Sequence, residues 1–177
     1  MLHLKDSPRG IDVPIQKFQE YLYETLPQAL KIDNPEKMYD CFGRVYRNQK
    51  GGGFVPEVFT EKKDYREAFI DDKKHLISFF GVEDTQRSGL NMTANVFLIF
   101  LCDLQKLYPD VKHRADSEIQ CCAMMWCGKR LGEFVSINTG IDSVFKGFAI
   151  KQITYSDLQP YHCFRLNYRV YYDDDEC

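Results

Sequence analysis

The sequence predicts an α+β fold: a mainly antiparallel sheet of four to six strands covered by two helices. Three observations carry this expectation. Every residue from Val96 to Cys102 is apolar, and a strand that is apolar on both faces has to be covered on both faces. From Tyr161 to Tyr172 the chain alternates, with Cys163, Arg165, Asn167, Arg169 and Tyr171 on one side and Phe164, Leu166, Tyr168, Val170 and Tyr172 on the other, the period of a half-buried strand. Two further stretches carry apolar residues at helical spacing, Ile15-Phe18-Leu22-Leu26 and Ile119-Cys122-Ala123-Trp126. Helices of that kind bury their apolar stripe against one face of such a sheet.

Taken in order, residues 1–10 read as an arm closed by Ser7-Pro8-Arg9-Gly10. Asp12 caps the first helix, Pro14 is tolerated in its first turn, and Pro27 ends or kinks it. Met38–Arg47 reads as a first strand near a sheet edge, with Tyr39, Cys41, Gly43, Val45 and Arg47 facing one way. Asp40, Phe42, Arg44 and Tyr46 face the other. Asn48–Gly53 is a glycine-rich turn, and Phe54-Val55 resumes an extended chain. The triple glycine at 51–53 would need a helix behind it to cradle a phosphate, and Pro56 with Val58-Phe59-Thr60 argues against one. Residues 60–74 mix charges of both signs, as a solvated face does. His75–Gly81 is a second strand, Val82–Met92 a polar connector, and 93–104 the central strand, antiparallel to the second. A helix follows from Asp116 or Ser117 to Cys127, stopped by Gly128, with Trp126 as a core anchor. A helical turn over Ile141–Lys146, a strand Phe148–Tyr155 and the closing strand Tyr161–Tyr172 complete the fold. The tail from Asp173 is solvated by its own repulsion.

With 177 residues, the expectation is one domain over 1–177, large enough for a real core. A net charge of -3 excludes binding to nucleic acid through a generally basic surface. Seven cysteines make an odd set without a C-x-x-C pair, which is expected of reduced, buried thiols rather than a disulfide framework. Met1–Asp6 lacks the apolar core of a signal peptide, and the run at 96–102 is far too short to span a bilayer. The sequence thus predicts a product made in a cytoplasm, or assembled there into something larger, without membrane contact.

Chemistry is sparse. Of the histidines His3, His75, His113 and His162, none is placed by spacing beside a nucleophile; His162 and Cys163 are adjacent and point to opposite faces. No pair of metal ligands occurs at zinc spacing, and no phosphate-loop, dinucleotide or hydrolase motif is present. No enzyme activity, cofactor or metal is expected. What remains is a polar surface on the last strand, Arg165, Arg169 and Tyr171, joined by Arg44 and Arg47 if the first strand lies beside it. Arginine and tyrosine are common interface anchors, so these five are the candidate residues of a subunit interface.

An amphipathic helix ends at Leu26-Pro27-Gln28-Ala29-Leu30, and a strand with Val45-Tyr46-Arg47 leads into a long charged hairpin. The apolar strand Val96-Phe97-Leu98-Ile99-Phe100-Leu101 then precedes the helix Ser117–Cys127, and the strand pair Phe148–Tyr155 and Phe164–Tyr172 closes the order. In this order, over residues 11–172, the chain resembles the tail-terminator and head–tail connector (neck ring) proteins of tailed bacteriophages, crAss-like phages among them. The resemblance lies in element order, not in a signature, and neither the 60–74 stretch nor the acidic C-terminus maps onto it. It implies a structural virion protein, assembled in the host cytoplasm into a closed homo-oligomeric ring. The ring would join portal or connector to tail around a channel through which DNA passes without sequence-specific binding. Two other expectations compete: a monomeric cytosolic adaptor or immunity-type module, and an enzyme using one of the thiols.

Overall fold

The computed structural model describes residues 1–59, 64–68, 71, 73–88, 91–128, 130–149 and 157–173. Its centre is β6 (Asn91–Asp103), the apolar run foreseen in the sequence. It lies between β5 (Leu76–Ser88) and β8 (Tyr161–Asp173) and is antiparallel to both. Period two sends its residues both ways. Val96, Leu98, Phe100 and Cys102 meet α1 (Asp12–Ala29) and α4 (Asp116–Cys127) on one face. Phe97, Ile99 and Leu101 pack on the other with Val144 of α5 (Ile141–Val144), with Phe145 and Phe148 beyond it, and with Cys163. On the helix face Phe100 stacks on Phe164 of β8, centroids 4.9 Å apart. The alternation along β8 falls as the sequence has it, with Phe164, Leu166, Tyr168 and Val170 beneath the helices.

The remaining strands are β1 (Leu2–His3), β2 (Tyr39–Lys50), β3 (Gly53–Phe59), β4 (Tyr65–Glu67) and β7 (Glu133–Thr139). The sheet order is β4-β3-β2-β5-β6-β8-β7, with β1 also paired to β2. Among the described strands only the β1–β2 and β2–β5 ladders are parallel. The fold is α+β with a mainly antiparallel sheet, as expected. The sheet is larger, with eight strands, and the described residues hold five helices rather than two. The additional helices, α2 (Pro35–Met38), α3 (Leu104–Leu107) and α5, are single turns of four residues. The glycine turn closes a tight β2–β3 hairpin in which Lys50 pairs with Gly53. Gly51 and Gly52 both take positive φ, 56° and 88°, which such a two-residue turn requires and other residues resist.

Several expectations are corrected. β2, expected near a sheet edge, lies third from one end of the sheet, inside β4 and β3. A bulge between Cys41 and Arg44 reverses its parity: Tyr39 and Cys41 face the helices, whereas Val45 lies in the opposite core. The stretch 82–92, read as a connector, instead extends β5 and begins β6, since Thr85–Ser88 pair with Asn91–Ala94. Trp126 is 37% exposed, whereas Ile119, Ala123 and Cys127 are buried. At about 100° per residue the buried arc is centred on Ala123, which takes in Cys127 and leaves Trp126 on its rim. The expected pairing of the last two strands does not form over 164–169, because β8 has β6 on one side and β7 on the other. Phe148 and Ala149 are not strand, and 150–155 lie outside the described residues, as do 174–177 of the tail and 60–63, 69, 70 and 72 of the charged stretch.

Close packing at the sheet centre depends on Gly81. A Cβ there would come within 2.0 Å of the Phe97 ring. Gly81→Ala is expected to cost about 1–3 kcal/mol by overpacking, and clearly less when Phe97 is first replaced by Ala. Urea unfolding of the four variants checks this, and an equal cost in both backgrounds would contradict the packing described.

Candidate functional site

A polar belt crosses the sheet on the face opposite the two long helices. Parity places Arg47 of β2, Glu83 of β5, and Arg165 and Asn167 of β8 on that face. Glu83 Oε1 accepts from Arg47 Nη2 at 3.0 Å and from Arg165 Nη2 at 2.9 Å. Arg165 Nε donates to Asn167 Oδ1 at 2.7 Å. The Asn167 amide then donates to Ser136 Oγ at 3.1 Å and Asn138 Oδ1 at 2.6 Å, both on β7. The strand between, β6, contributes an aromatic ring: the Arg165 guanidinium lies 4.1 Å from the Phe97 centroid. Phe148 stands edge-on to Phe97, and Arg47 lies over the Phe148 ring at 5.5 Å. Two guanidinium groups thus share one carboxylate and two stacked surfaces, which leaves the cluster with a single net positive charge.

The five candidate interface residues do not form one surface. Arg165 is buried, 5% exposed, and serves the belt rather than facing outward; its Nη1 has no hydrogen-bond partner among the described residues. Arg47 is joined to it through Glu83, although two strands separate β2 from β8. Arg169 and Tyr171 continue outward along β8. Arg169 is half exposed and only 3.8 Å from Glu133 of β7, and Tyr171 is 59% exposed. Arg44 lies on the helix face, because of the bulge. Its Nε is 2.8 Å from Asp12 Oδ1 and its Nη2 donates to Tyr46 Oη at 2.8 Å. Together with Lys5, which also contacts Asp12, it pins the N-terminal arm and the start of α1 to β2.

Other titratable groups are held structurally. Burial raises the Asp40 carboxyl, but hydrogen bonds from His3 and Lys74 and the charge of the N-terminus outweigh it and hold the group at about 2. His162 is buried, with Nδ1 2.9 Å from Asp157 Oδ1 and Nε2 2.9 Å from Gln120 Nε2. An aspartate orienting a histidine is half of a catalytic relay, yet Gln120 occupies the nitrogen that would serve as base. Burial pushes the Cys41 thiol up to about 11 and the Cys163 thiol up to about 12, and it raises Cys102, Cys122 and Cys127 as well. These thiols stay protonated and act as small apolar side chains. Among the described residues no group of three or more His, Cys, Asp or Glu could hold a metal ion.

The ends of the sheet are the other candidate surface. At one end lies β7, of which no residue is buried. At the other lies β4, with Phe59 and Tyr65 exposed and in edge contact at 5.3 Å. A groove of about 930 Å³ runs between the N-terminal arm and β2–β4, lined among others by Leu4, Phe42, Tyr46, Phe59 and Arg66. No protein-family model matches the chain, and no curated protein matches it either. Sequence reasoning missed Glu83, whose strand was read as a connector, and missed β7 altogether.

Removing the shared carboxylate charge tests the belt. Glu83→Gln leaves a buried guanidinium without its counter-charge, and a loss of about 1–3 kcal/mol in unfolding free energy is expected. Arg47→Ala, whose partner stays paired to Arg165, should cost less. The reverse ranking in denaturant titrations would contradict the shared geometry.

Proposed function

We propose that the chain is a structural subunit that joins copies of itself head to tail in a closed ring at the neck or tail end of a tailed-phage particle, between portal or connector and tail. The observation that carries this reading is the sheet whose two ends are unlike: among the described strands β7 is outermost at one and β4 at the other. A contact between unlike surfaces is heterologous, and heterologous contacts close into rings when the rotation between subunits allows. Each contact would take about 800 Å² from a subunit, a small share of its 9938 Å² surface. α1, the β2–β3 hairpin, β6, α4 and β8 follow one another in the order on which the resemblance to neck proteins rests, although the closing strand pair of that order does not form over 164–169. A net charge of -3 suits a channel wall along which DNA must slide without being held. No described helix is long and apolar enough to cross a membrane.

A second reading, a monomeric adaptor that binds one cellular protein, is favoured by the groove beside the N-terminal arm. Light scattering and electron microscopy of the purified chain, alone and mixed with portal and tail proteins, separate the two. Rings of defined size are expected. A monomer in every mixture, with a one-to-one complex to a host protein, would overturn the ring and leave the adaptor.

A further inference from the structure

We propose that the ring contact is strand addition, in which β7 of one copy lies along β4 of the next so that the two sheets become one. This rests on the self-association reading above and names the surfaces that carry it. β7 is long for an edge strand, at seven residues, and none of them is buried. Two neighbouring apolar side chains stand exposed on it, Phe134 at 40% and Val135 at 55%. Edge strands in proteins are normally blunted by shortness, lysine, proline, inward charge, a bulge or a covering element, and of these devices the described residues give β7 only a bulge. β7 contains no lysine and no proline, and Glu133 at its first position is its one charge. Its bulge lies between Phe134 and Ser136, so the extra residue turned out of the ladder is an apolar valine. An edge built in this way is suited to receive another strand, with main-chain hydrogen bonds supplying affinity and side chains choosing the partner.

Charge and shape at the opposite end name a second copy as that partner. β4 is the outermost strand there. It carries exposed Tyr65, with exposed Phe59 beside it, an aromatic pair against which Phe134 and Val135 can close. Arg66, at the middle of β4, is exposed and has no ion pair among the described residues. Glu133 is 59% exposed and, among the described residues, pairs only with Arg169, at 3.8 Å. The two ends therefore offer opposite, under-used charges flanking apolar patches, which favours a union of β7 with β4 over one of β7 with a second β7. In the latter, like charges and like bulges would meet.

The test uses the full chain and analytical ultracentrifugation at low and high salt, with circular dichroism as the check on folding. Val135→Lys is expected to weaken association about tenfold or more by charging the free edge. Glu133→Arg and Arg66→Glu should each weaken it about threefold, and the double variant should recover most of the loss, since exposed pairs carry modest, salt-sensitive energies. If the wild-type chain assembles and these variants assemble equally well, strand addition is overturned and the ring reading stands. A symmetric dimer weakened by Glu133→Arg but not by Arg66→Glu would assign β7 to itself and also overturn the proposal. A wild-type chain that stays monomeric at every concentration and with purified neck proteins would overturn both.

Discussion

The burial of β6 on both faces is the constraint from which the architecture follows. A strand with apolar side chains pointing up and down can be stable only between two covers. One cover is made by α1 and α4, whose Ile15, Phe18, Leu22, Ile119 and Ala123 share a core with Leu98 and Phe100. The other is smaller, made by the segment from Ile141 to Phe148 over Phe97, Ile99 and Leu101. Neighbours on both edges are needed as well, and β5 and β8 supply them along nearly the full length. Cover and pairing are thus concentrated at the middle of the sheet. Towards the ends burial falls away, until β7 has no buried residue.

The second face solves a different problem. The smaller cover leaves room for polar groups near the core, and a buried guanidinium is costly unless it is paired. Arg165 is stabilised there by Glu83, Asn167 and the face of Phe97. The same bonds tie β2, β5, β8 and β7 together across their strands. Side-chain bonds that run across the strands in this way add to the backbone ladders that hold the sheet together. In the proposed ring the belt would carry load between neighbours without itself being the contact surface.

Much of the middle of the fold was legible because single-residue chemistry and burial coincide there. The run Val96–Cys102 read as a doubly covered strand, and the alternation of Phe164, Leu166, Tyr168 and Val170 grouped the residues that lie beneath the helices. Legibility declined where register carries the information. The bulge at Cys41–Arg44 cannot be seen in the letters, and it exchanged the faces of the residues after it, so that Arg44 joins the helix side and Val45 and Arg47 the opposite one. Glu83 lay in a polar stretch, where long solvent-exposed strands and connectors have the same composition. β7 did leave a signal. Glu133–Thr139 is rich in β-branched and aromatic residues and is bracketed by Gly132 and Gly140, but it lacks the buried face that makes a strand stand out. Arg165 read as surface because arginine is rarely buried; only the distant Glu83 makes its burial tolerable, and that pairing spans 82 positions of sequence.

The sheet has a densely covered centre, and in the proposed ring its ends are the surfaces that adhere. Native-state hydrogen exchange reads that gradient directly, since exchange protection follows the free energy of local opening. Amides of β6 from Val96 to Leu101 should exchange slowest, at the rate of global unfolding, with the adjoining β5 and β8 close behind. Those of the monomeric chain's β7 should exchange orders of magnitude faster and slow down on assembly. Protection strongest in β7, or amides of β6 that exchange as freely as those at the sheet ends, would contradict the account at its root.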